Sequence, residues 1–197
     1  MKETLTKIKT ITTPLDRDTA RTLRCGDEVL LTGEIYTARD AAHMRLMELS
    51  KNGERFPLPM EGAIIYYVGP TPEKPGTVIG SAGPTTSYRM DSTAPSLIAK
   101  GLMGMIGKGK RSAEVVEAMK AHGAVYLGAI GGAGALIARC IESSEVIAYE
   151  DLSAEAVRKL FVRDMPLTVI IDSLGNNLYD HGREDYLSFN KQQSEQR

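Results

Sequence analysis

The stretch AIIYYV at residues 63–68 decides the fold class. Its apolar character is continuous rather than alternating, which is typical of a strand that is buried on both faces. A loop punctuated by proline and glycine follows at residues 69–76. Strands alternate with helices along most of the remaining chain, and this alternation predicts an α/β domain.

The elements before this strand are less regular. Residues 1–27 are polar and mixed, and they predict an N-terminal strand or extended arm that ends in a short turn. The sequence EVLLT at residues 28–32 predicts a strand, with a continuation through residues 36–37. Apolar residues at helical spacing then predict a helix over residues 39–49, which Asn52 and Gly53 terminate.

After residue 68, apolar runs predict the strands and helices, and capping or helix-breaking residues predict where they begin and end. We find no linker and no internal repeat, so residues 1–190 are expected to form one domain, followed by a frayed polar tail at 191–197. The predicted strands lie at 77–80, 102–106, 124–127, 146–149 and 167–171. One predicted helix begins near residue 91, a second begins at Ser112, and a third covers 131–140. Residues 154–160 are predicted to form a short helix or turn, and residues 172–177 a hairpin-like turn.

Composition excludes several functional classes. The chain has 197 residues, a formal charge of −1, 42% hydrophobic residues and 25% charged residues, so a general nucleic-acid binder is not expected. No apolar run is long enough to span a membrane, and the first residues lack the apolar core of a secretory signal, so we expect a cytoplasmic protein. Only two cysteines occur, which excludes a disulfide scaffold and a metal site of four cysteines.

Three loops combine glycine or a hydroxyl with a cation. They lie at residues 37–40, 83–89 and 107–111. Ligands of open α/β sheets gather beyond the strand ends, where glycine lets backbone amides approach and arginine offers a planar fork to a carboxylate. These loops predict a site for an anionic small molecule, and both a carboxylate and a phosphate fit.

Each feature also has a purely structural interpretation. Arg39 could be an ion-pair residue at a helix start, and residues 107–110 lack the glycine spacing of a phosphate-binding loop. The glycines of residues 128–134 are explained equally well by close helix packing. His43 is either an acid–base group or a polar residue on a helix face. No histidine pair has the spacing of metal ligands, and we assign no metal to this chain.

The segment GPTTSYRMD at residues 83–91 carries a specific resemblance. It resembles the signature of the β subunit, or C-terminal domain, of class I iron–sulfur fumarate hydratases and of the related L-tartrate dehydratases. Together the matching segments cover roughly residues 25–180 in the order found in that family. The other matches are LTG at 31–33, ARDAAH at 38–43, GKG at 107–109, YLGAIGG at 126–132 and DSLGNN at 172–177.

The resemblance implies a single swivelling β/β/α domain with a central mixed sheet, which closes over an active site shared with an α subunit. That partner would hold a [4Fe–4S] cluster through three cysteines, while this chain binds no metal itself. The implied reaction is the reversible hydration of fumarate to L-malate, in a hetero-oligomer such as a dimer of αβ pairs. The chain alone would be inactive, and it would bind neither nucleic acid nor a membrane.

The resemblance also assigns roles by motif position. Arg39, Arg89 and Lys108 would bind the substrate carboxylates and stabilise the charge that develops on them. Thr85 would lie at the reacting carbon, either as the catalytic base or as a hydrogen-bonding hydroxyl. Three further residues would support the site: Thr86 and Asp91 by orienting the loop and Arg89, and His43 from a nearby position.

The substrate and the function class each keep an alternative. The sequences RMD at 89–91, KR at 110–111 and GG at 131–132 look more like the fumarate branch than the tartrate branch. A tartrate or other hydroxy-dicarboxylate dehydratase remains open, because one additional hydroxyl needs only a modest change of contacts. The same three cations would also suit a non-catalytic anion-binding or regulatory domain.

Overall fold

The computed structural model describes residues 8–180 together with residues 182 and 187. Its strands are β1 (Lys9–Thr12), β2 (Glu28–Thr37), β3 (Ile64–Tyr66), β4 (Gly104–Gly107), β5 (Val125–Gly128), β6 (Ile141–Ala148) and β7 (Val157–Ile171). Its α-helices are α1 (Arg17–Thr22), α2 (Asp40–Asn52), α3 (Ala94–Ile98), α4 (Ala113–His122) and α5 (Gly134–Arg139), and two 3-10 segments cover Ser87–Met90 and Glu150–Glu155.

The strands form one mixed sheet in the order β1-β2-β3-β4-β5-β7-β6. Strands β2, β3, β4 and β5 run parallel to one another, and β1 also pairs in parallel with β2. The long β7 runs antiparallel to β5 and to β6, and it pairs with β2 as well, so the sheet closes on itself. The predicted α/β class with a central mixed sheet is confirmed.

The sheet separates two apolar cores. Residues 64–67 contribute to both cores, since Ile64 and Tyr66 pack in one and Ile65 and Tyr67 in the other. The first core is shared by β2, β3, β5 and β7, whereas the second lies against helices α2, α3 and α4. Residues 64–67 are fully buried, and each such apolar side chain contributes roughly 1.5–3 kcal/mol to folding.

Local signals explain several boundaries that the sequence predicted. Helix α2 ends at Gly53, whose φ of 69° is the left-handed conformation that glycine adopts readily. Helix α4 begins after Ser112, whose side chain accepts a hydrogen bond from the backbone N–H of Val115. In the turn at residues 172–177, the buried Asp172 accepts hydrogen bonds from the backbone N–H groups of Leu174 and Asn176. These three predictions are confirmed.

Two predictions of secondary structure are wrong, and a third is incomplete. Residues 77–80 form no strand, because they belong to a loop whose turn is closed by the hydrogen bond from Thr77 N to Lys74 O. Residues 157–160 are the start of β7 rather than a helix or turn, since they pair with β2 and β6 on either side. The predicted N-terminal strand is confirmed as β1 and the predicted turn lies at residues 25–26, but the prediction missed helix α1 between them, which Asp16 caps by accepting from Thr19 N.

Two further points concern the ends of the chain and the membrane. The polar tail predicted at 191–197 lies outside the described residues. Within the described part of the chain, no helix combines the length and the apolar character that crossing a membrane would require.

Candidate functional site

The carboxyl ends of four parallel strands meet at one edge of the sheet. Beyond β2 the chain continues into Arg39, beyond β4 into Lys108, and beyond β5 into the glycines at residues 131–132. Beyond β3 it continues through Tyr67 to Gly69. Parallel strands place these loops side by side, as expected for the ligand site of an α/β sheet. The loops that the sequence singled out are therefore brought together.

The segment at residues 83–91 is fixed across this edge by backbone hydrogen bonds. Thr85 N donates to Tyr67 O at 2.7 Å, and Lys108 N donates to Thr85 O at 3.3 Å. Ser87 N donates in turn to Lys108 O at 2.9 Å, and Thr86 forms a parallel bridge with Lys108. Gly107 permits this approach, since a Cβ there would lie 2.0 Å from the Ser87 hydroxyl. Thr85 is thus held beside Lys108 by the backbone.

The Thr85 side chain has no hydrogen-bond partner within residues 8–180 and is half-buried. Lys108 is exposed and makes no ion pair within the same range, and its side chain passes over Gly131, where an added Cβ would lie 3.9 Å from Nζ. A hydroxyl and an ammonium group that both lack partners in the described chain are suited to contact a bound anion.

The two predicted arginines form an ion-pair cluster at the start of α2. Asp40 accepts from Arg39 Nε at 3.3 Å and lies 2.8 Å from Arg89 Nη2. Glu155 lies 3.1 Å from Arg39 Nη2. Arg39 is therefore an ion-pair residue, as the structural interpretation expected, and it also lies beside Arg89. Together with Lys108, three cations and two carboxylates lie at this edge. Their net charge is therefore positive, which would attract an anion.

Asp91, which the resemblance assigns to orienting the loop and Arg89, pairs directly with Arg111. Its Oδ1 accepts from Arg111 Nε at 2.7 Å, and its Oδ2 accepts from Ser112 N at 2.5 Å. The Arg111 side chain is fully buried, with its Cζ 5.4 Å and 5.1 Å from the ring centroids of Tyr67 and Tyr126. Burial alone would lower the pKa of Arg111, but Tyr67 and Asp91 keep it above its usual value.

This buried ion pair joins the two loops that carry the site. Asp91 ends the segment that contains Thr85 and Arg89, whereas Arg111 ends the loop that contains Lys108. Tyr126 reinforces the junction, because its hydroxyl lies 2.9 Å from the Ser87 hydroxyl and donates to Gly109 O at 3.0 Å. The network beneath the site is therefore a support for both loops.

His43 lies in the core of this region rather than on its surface. Its side chain is buried, and its Nδ1 lies 2.8 Å from Thr93 Oγ1. Because the Thr93 hydroxyl donates to Met90 O, we assign the proton to Nδ1, and Nε2 has no partner in the described chain. Burial, aided by the positive charge of Arg111, lowers the pKa of His43 to about 3. The geometry favours a neutral structural histidine.

This environment predicts an acid sensitivity. An unfolded histidine binds a proton below pH 6.5, whereas folded His43 stays neutral until about pH 3. The free energy of unfolding therefore decreases as the pH falls below 6.5, by about 2 kcal/mol between pH 7 and pH 5. We expect His43→Asn to remove this contribution in denaturant unfolding at the two pH values. An NMR titration in which the His43 ring takes up a proton between pH 7 and pH 5 would contradict the assignment.

The described residues at this edge include no group suited to hold a metal ion. Among the residues that the structure describes, no group of three or more histidine, cysteine or acidic side chains is arranged to hold a metal ion. Cys25 lies before the amino end of β2, at the opposite end of that strand from Arg39. Cys140 follows α5 and precedes β6. The residues present at the site therefore do not fit a metal or an iron–sulfur cluster.

The structure is an α/β fold with a cluster of cationic side chains at the carboxyl ends of its parallel strands. Comparison with known families is more specific, because residues 2–182 match the family described as Fumarase C-terminus. The chain belongs to this family.

Individual relatives fall into two groups by length. The aerobic class I fumarate hydratase of Escherichia coli K12 is 43% identical over 151 residues, which cover 76% of this chain and 28% of the relative. Fumarate hydratase 2 of Leishmania major is 40% identical over 156 residues, with 78% and 28% covered. The chain thus spans just over a quarter of the length of these relatives.

A third relative has nearly the same length as this chain. It is provisionally named L(+)-tartrate dehydratase subunit beta, from Methanocaldococcus jannaschii, and it is 37% identical over 172 residues. The match covers 84% of this chain and 88% of the relative. The relatives of both groups carry the names of hydro-lyases.

Sequence reasoning missed the carboxylates of the site. Glu155 lies more than 110 residues from its partners Arg39 and Ala41, and no local pattern marks it. Asp40 stands inside the matching segment at residues 38–43, beside Arg39, but it was not singled out. An acidic residue next to a predicted anion-binding arginine is a signal that could have identified it.

Proposed function

We propose that this chain is the β subunit of a hydro-lyase that hydrates fumarate reversibly to L-malate. The observation that carries the proposal is the convergence of Arg39, Thr85, Arg89 and Lys108 at the carboxyl ends of parallel strands. Membership of the family and the names of the relatives support the reaction class.

The residues act by binding and by electrostatics. Arg39, Arg89 and Lys108 bind the substrate carboxylates, and they stabilise the negative charge that develops on a carboxylate when the adjacent carbon loses or gains a proton. Arg89 makes its ion pair through Nη2, so Nε and Nη1 remain for the substrate.

Thr85 lies at the reacting carbon in this proposal. Its hydroxyl either moves the proton as a base or donates a hydrogen bond to the substrate. The first role requires activation, because a threonine hydroxyl is a weak base. Lys108, whose backbone N–H donates to Thr85 O, is a cation held beside it. Thr86, the partly buried Asp91 and the buried His43 hold the surrounding segments and do not contact the substrate.

A separate α subunit would complete the active site. Since the described residues of this chain do not fit an iron–sulfur cluster, the proposed [4Fe–4S] cluster belongs to that partner. The swivelling movement implied by the resemblance would then bring the cationic edge over the partner's site. The assembly is a hetero-oligomer, and the chain alone is inactive.

One observation favours tartrate as a second candidate substrate. The tartrate dehydratase subunit is matched over 88% of its length, whereas each named fumarate hydratase is matched over 28%. The name of the tartrate relative is that of a subunit, which supports a partner chain in this proposal. Length concerns the assembly rather than the substrate contacts, so fumarate stays the first proposal.

The proposal is tested by anaerobic reconstitution. The chain and the cluster-bearing α-type subunit of the same genome are purified separately, and the loss of fumarate absorbance is followed for each protein alone and for the mixture. We expect turnover in the mixture only, with kcat/KM for fumarate above that for tartrate. The inverse preference would establish the second candidate.

Two other results would overturn the proposal. Turnover by the chain alone would show that no partner is needed. A complex that forms but hydrates neither substrate, together with tight dicarboxylate binding by the isolated chain, would establish a non-catalytic anion-binding domain.

A further inference from the structure

Two carboxylates hold the arginine pair, and neither has a role in the function proposed above. Asp40 contacts Arg39 Nε and Arg89 Nη2 at 3.3 Å and 2.8 Å. Glu155 contacts Arg39 Nη2 at 3.1 Å through one oxygen. The arginines come from different loops, so Asp40 is the side chain that joins them.

Glu155 also fixes the start of helix α2. Its second oxygen accepts from the backbone N–H of Ala41 at 2.9 Å, in the first turn of the helix. The first N–H groups of a helix have no partner within the helix, and their positive end favours a carboxylate. Arg39 gives no such capping hydrogen bond with its own side chain. One glutamate therefore orients both the helix that begins beside Arg39 and the guanidinium of Arg39.

We propose that Asp40 and Glu155 are positioning residues that set the spacing and direction of the two arginines for the substrate carboxylate. This inference rests on the proposed function. Without the carboxylates, Arg39 and Arg89 would repel each other, and the long, partly exposed Arg89 side chain would populate several rotamers. Ordering it again on binding would weaken the affinity for the substrate.

The space around Arg39 supports a fixed position. A Cβ at Gly69 would lie 2.6 Å from Arg39 Nη1, so only glycine leaves room for the guanidinium in this orientation. Arg39 is therefore held by Asp40 at Nε and by Glu155 at Nη2, while Gly69 lies against Nη1. Each of its three nitrogens has a defined neighbour.

The chain provides a matched control. Asp151 forms an ion pair with Arg45 in which both side chains are exposed. This pair joins the 3-10 segment Glu150–Glu155 to helix α2, as the contact of Glu155 with Ala41 does. In the reconstituted complex, we expect Asp40→Asn and Glu155→Gln to lower kcat/KM by about 10- to 50-fold, mostly through a higher KM. Asp151→Asn is expected to stay within twofold of the unaltered complex.

A second readout does not depend on activity. In the ¹⁵N-labelled chain, the Nε–H signals of Arg39 and Arg89, assigned from the Arg39→Lys and Arg89→Lys variants, report the arginine environment directly. We expect Asp40→Asn to shift both signals and to speed their exchange with water. Asp40→Glu should restore part of the kcat/KM, because it keeps the charge.

The outcomes separate the two proposals. If the unaltered complex is active and Asp40→Asn behaves like Asp151→Asn, the positioning role is wrong and the proposed function stands. If the unaltered complex hydrates neither fumarate nor tartrate, the proposed function fails. In that case unchanged Nε–H signals in Asp40→Asn would overturn the positioning role too, whereas shifted signals would support it.

Discussion

Replacing Arg89 by lysine is expected to lower the turnover of the reconstituted hydro-lyase by about 100-fold, although the positive charge is kept. The guanidinium bridges Asp40 through Nη2 and presents its other nitrogens to the substrate. A lysine offers a single point charge, so it cannot contact the resident carboxylate and the substrate carboxylate in the same fixed plane. Steady-state kinetics with fumarate and with malate measure the loss.

Arg45→Lys is the matched control for this substitution. Arg45 is nearly as exposed as Arg89, at 37% against 40%, and it also pairs with an aspartate, but that partner is the exposed Asp151 and not one of the carboxylates that contact Arg39 and Arg89. We expect this variant to keep the kinetics of the unaltered complex. Normal turnover of Arg89→Lys would mean that Arg89 does not bind the substrate carboxylate.

Replacing Asp91 by alanine is expected to cause the largest loss of stability among the site residues, about 3–5 kcal/mol. The Arg111 side chain is fully buried and pairs with Asp91, so the variant leaves a buried charge without its partner. Ser112 N, which precedes α4, loses an acceptor in the same change. In a domain of this size the melting temperature would fall by roughly 10 °C, which thermal unfolding of the isolated chain measures.

Two further variants isolate the cause of that loss. Glu142→Ala breaks the exposed pair between Glu142 and Arg163, and we expect no measurable change in melting temperature. The double variant Asp91→Ala/Arg111→Met removes both charges and should recover part of the lost stability. Equal effects of Asp91→Ala and Glu142→Ala would show that the buried pair is not what holds the two loops.

The sequence predicted those elements whose signals are local. The apolar run at 63–68, the cap at Ser112 and the stop at Gly53 each depend on neighbouring residues, and each is confirmed. The strand predicted at 77–80 is absent, because Ile79 packs in the first core from a loop while Val78 is exposed. The start of β7 was missed because its conformation depends on pairing with β2 and β6, which lie far away along the chain.

The site was predictable to a similar degree. The rule that parallel strands collect their loops at one edge predicted that Arg39, Arg89 and Lys108 lie in the same region. The rule does not give the partner of each side chain. The resemblance assigned Asp91 to orienting the loop and Arg89, whereas the fold pairs it with Arg111 and supplies Asp40 to Arg89. These pairings arise from tertiary contacts between separate loops.

The most direct test is a crystal structure of the assembled complex with malate bound. We predict malate carboxylate oxygens within about 2.7–3.1 Å of nitrogens of Arg39, Arg89 and Lys108, with the Thr85 hydroxyl beside the carbon that exchanges its proton. Malate bound elsewhere, or bound with these three cations turned away from it, would contradict the assignment of the strand-end loops as the substrate site.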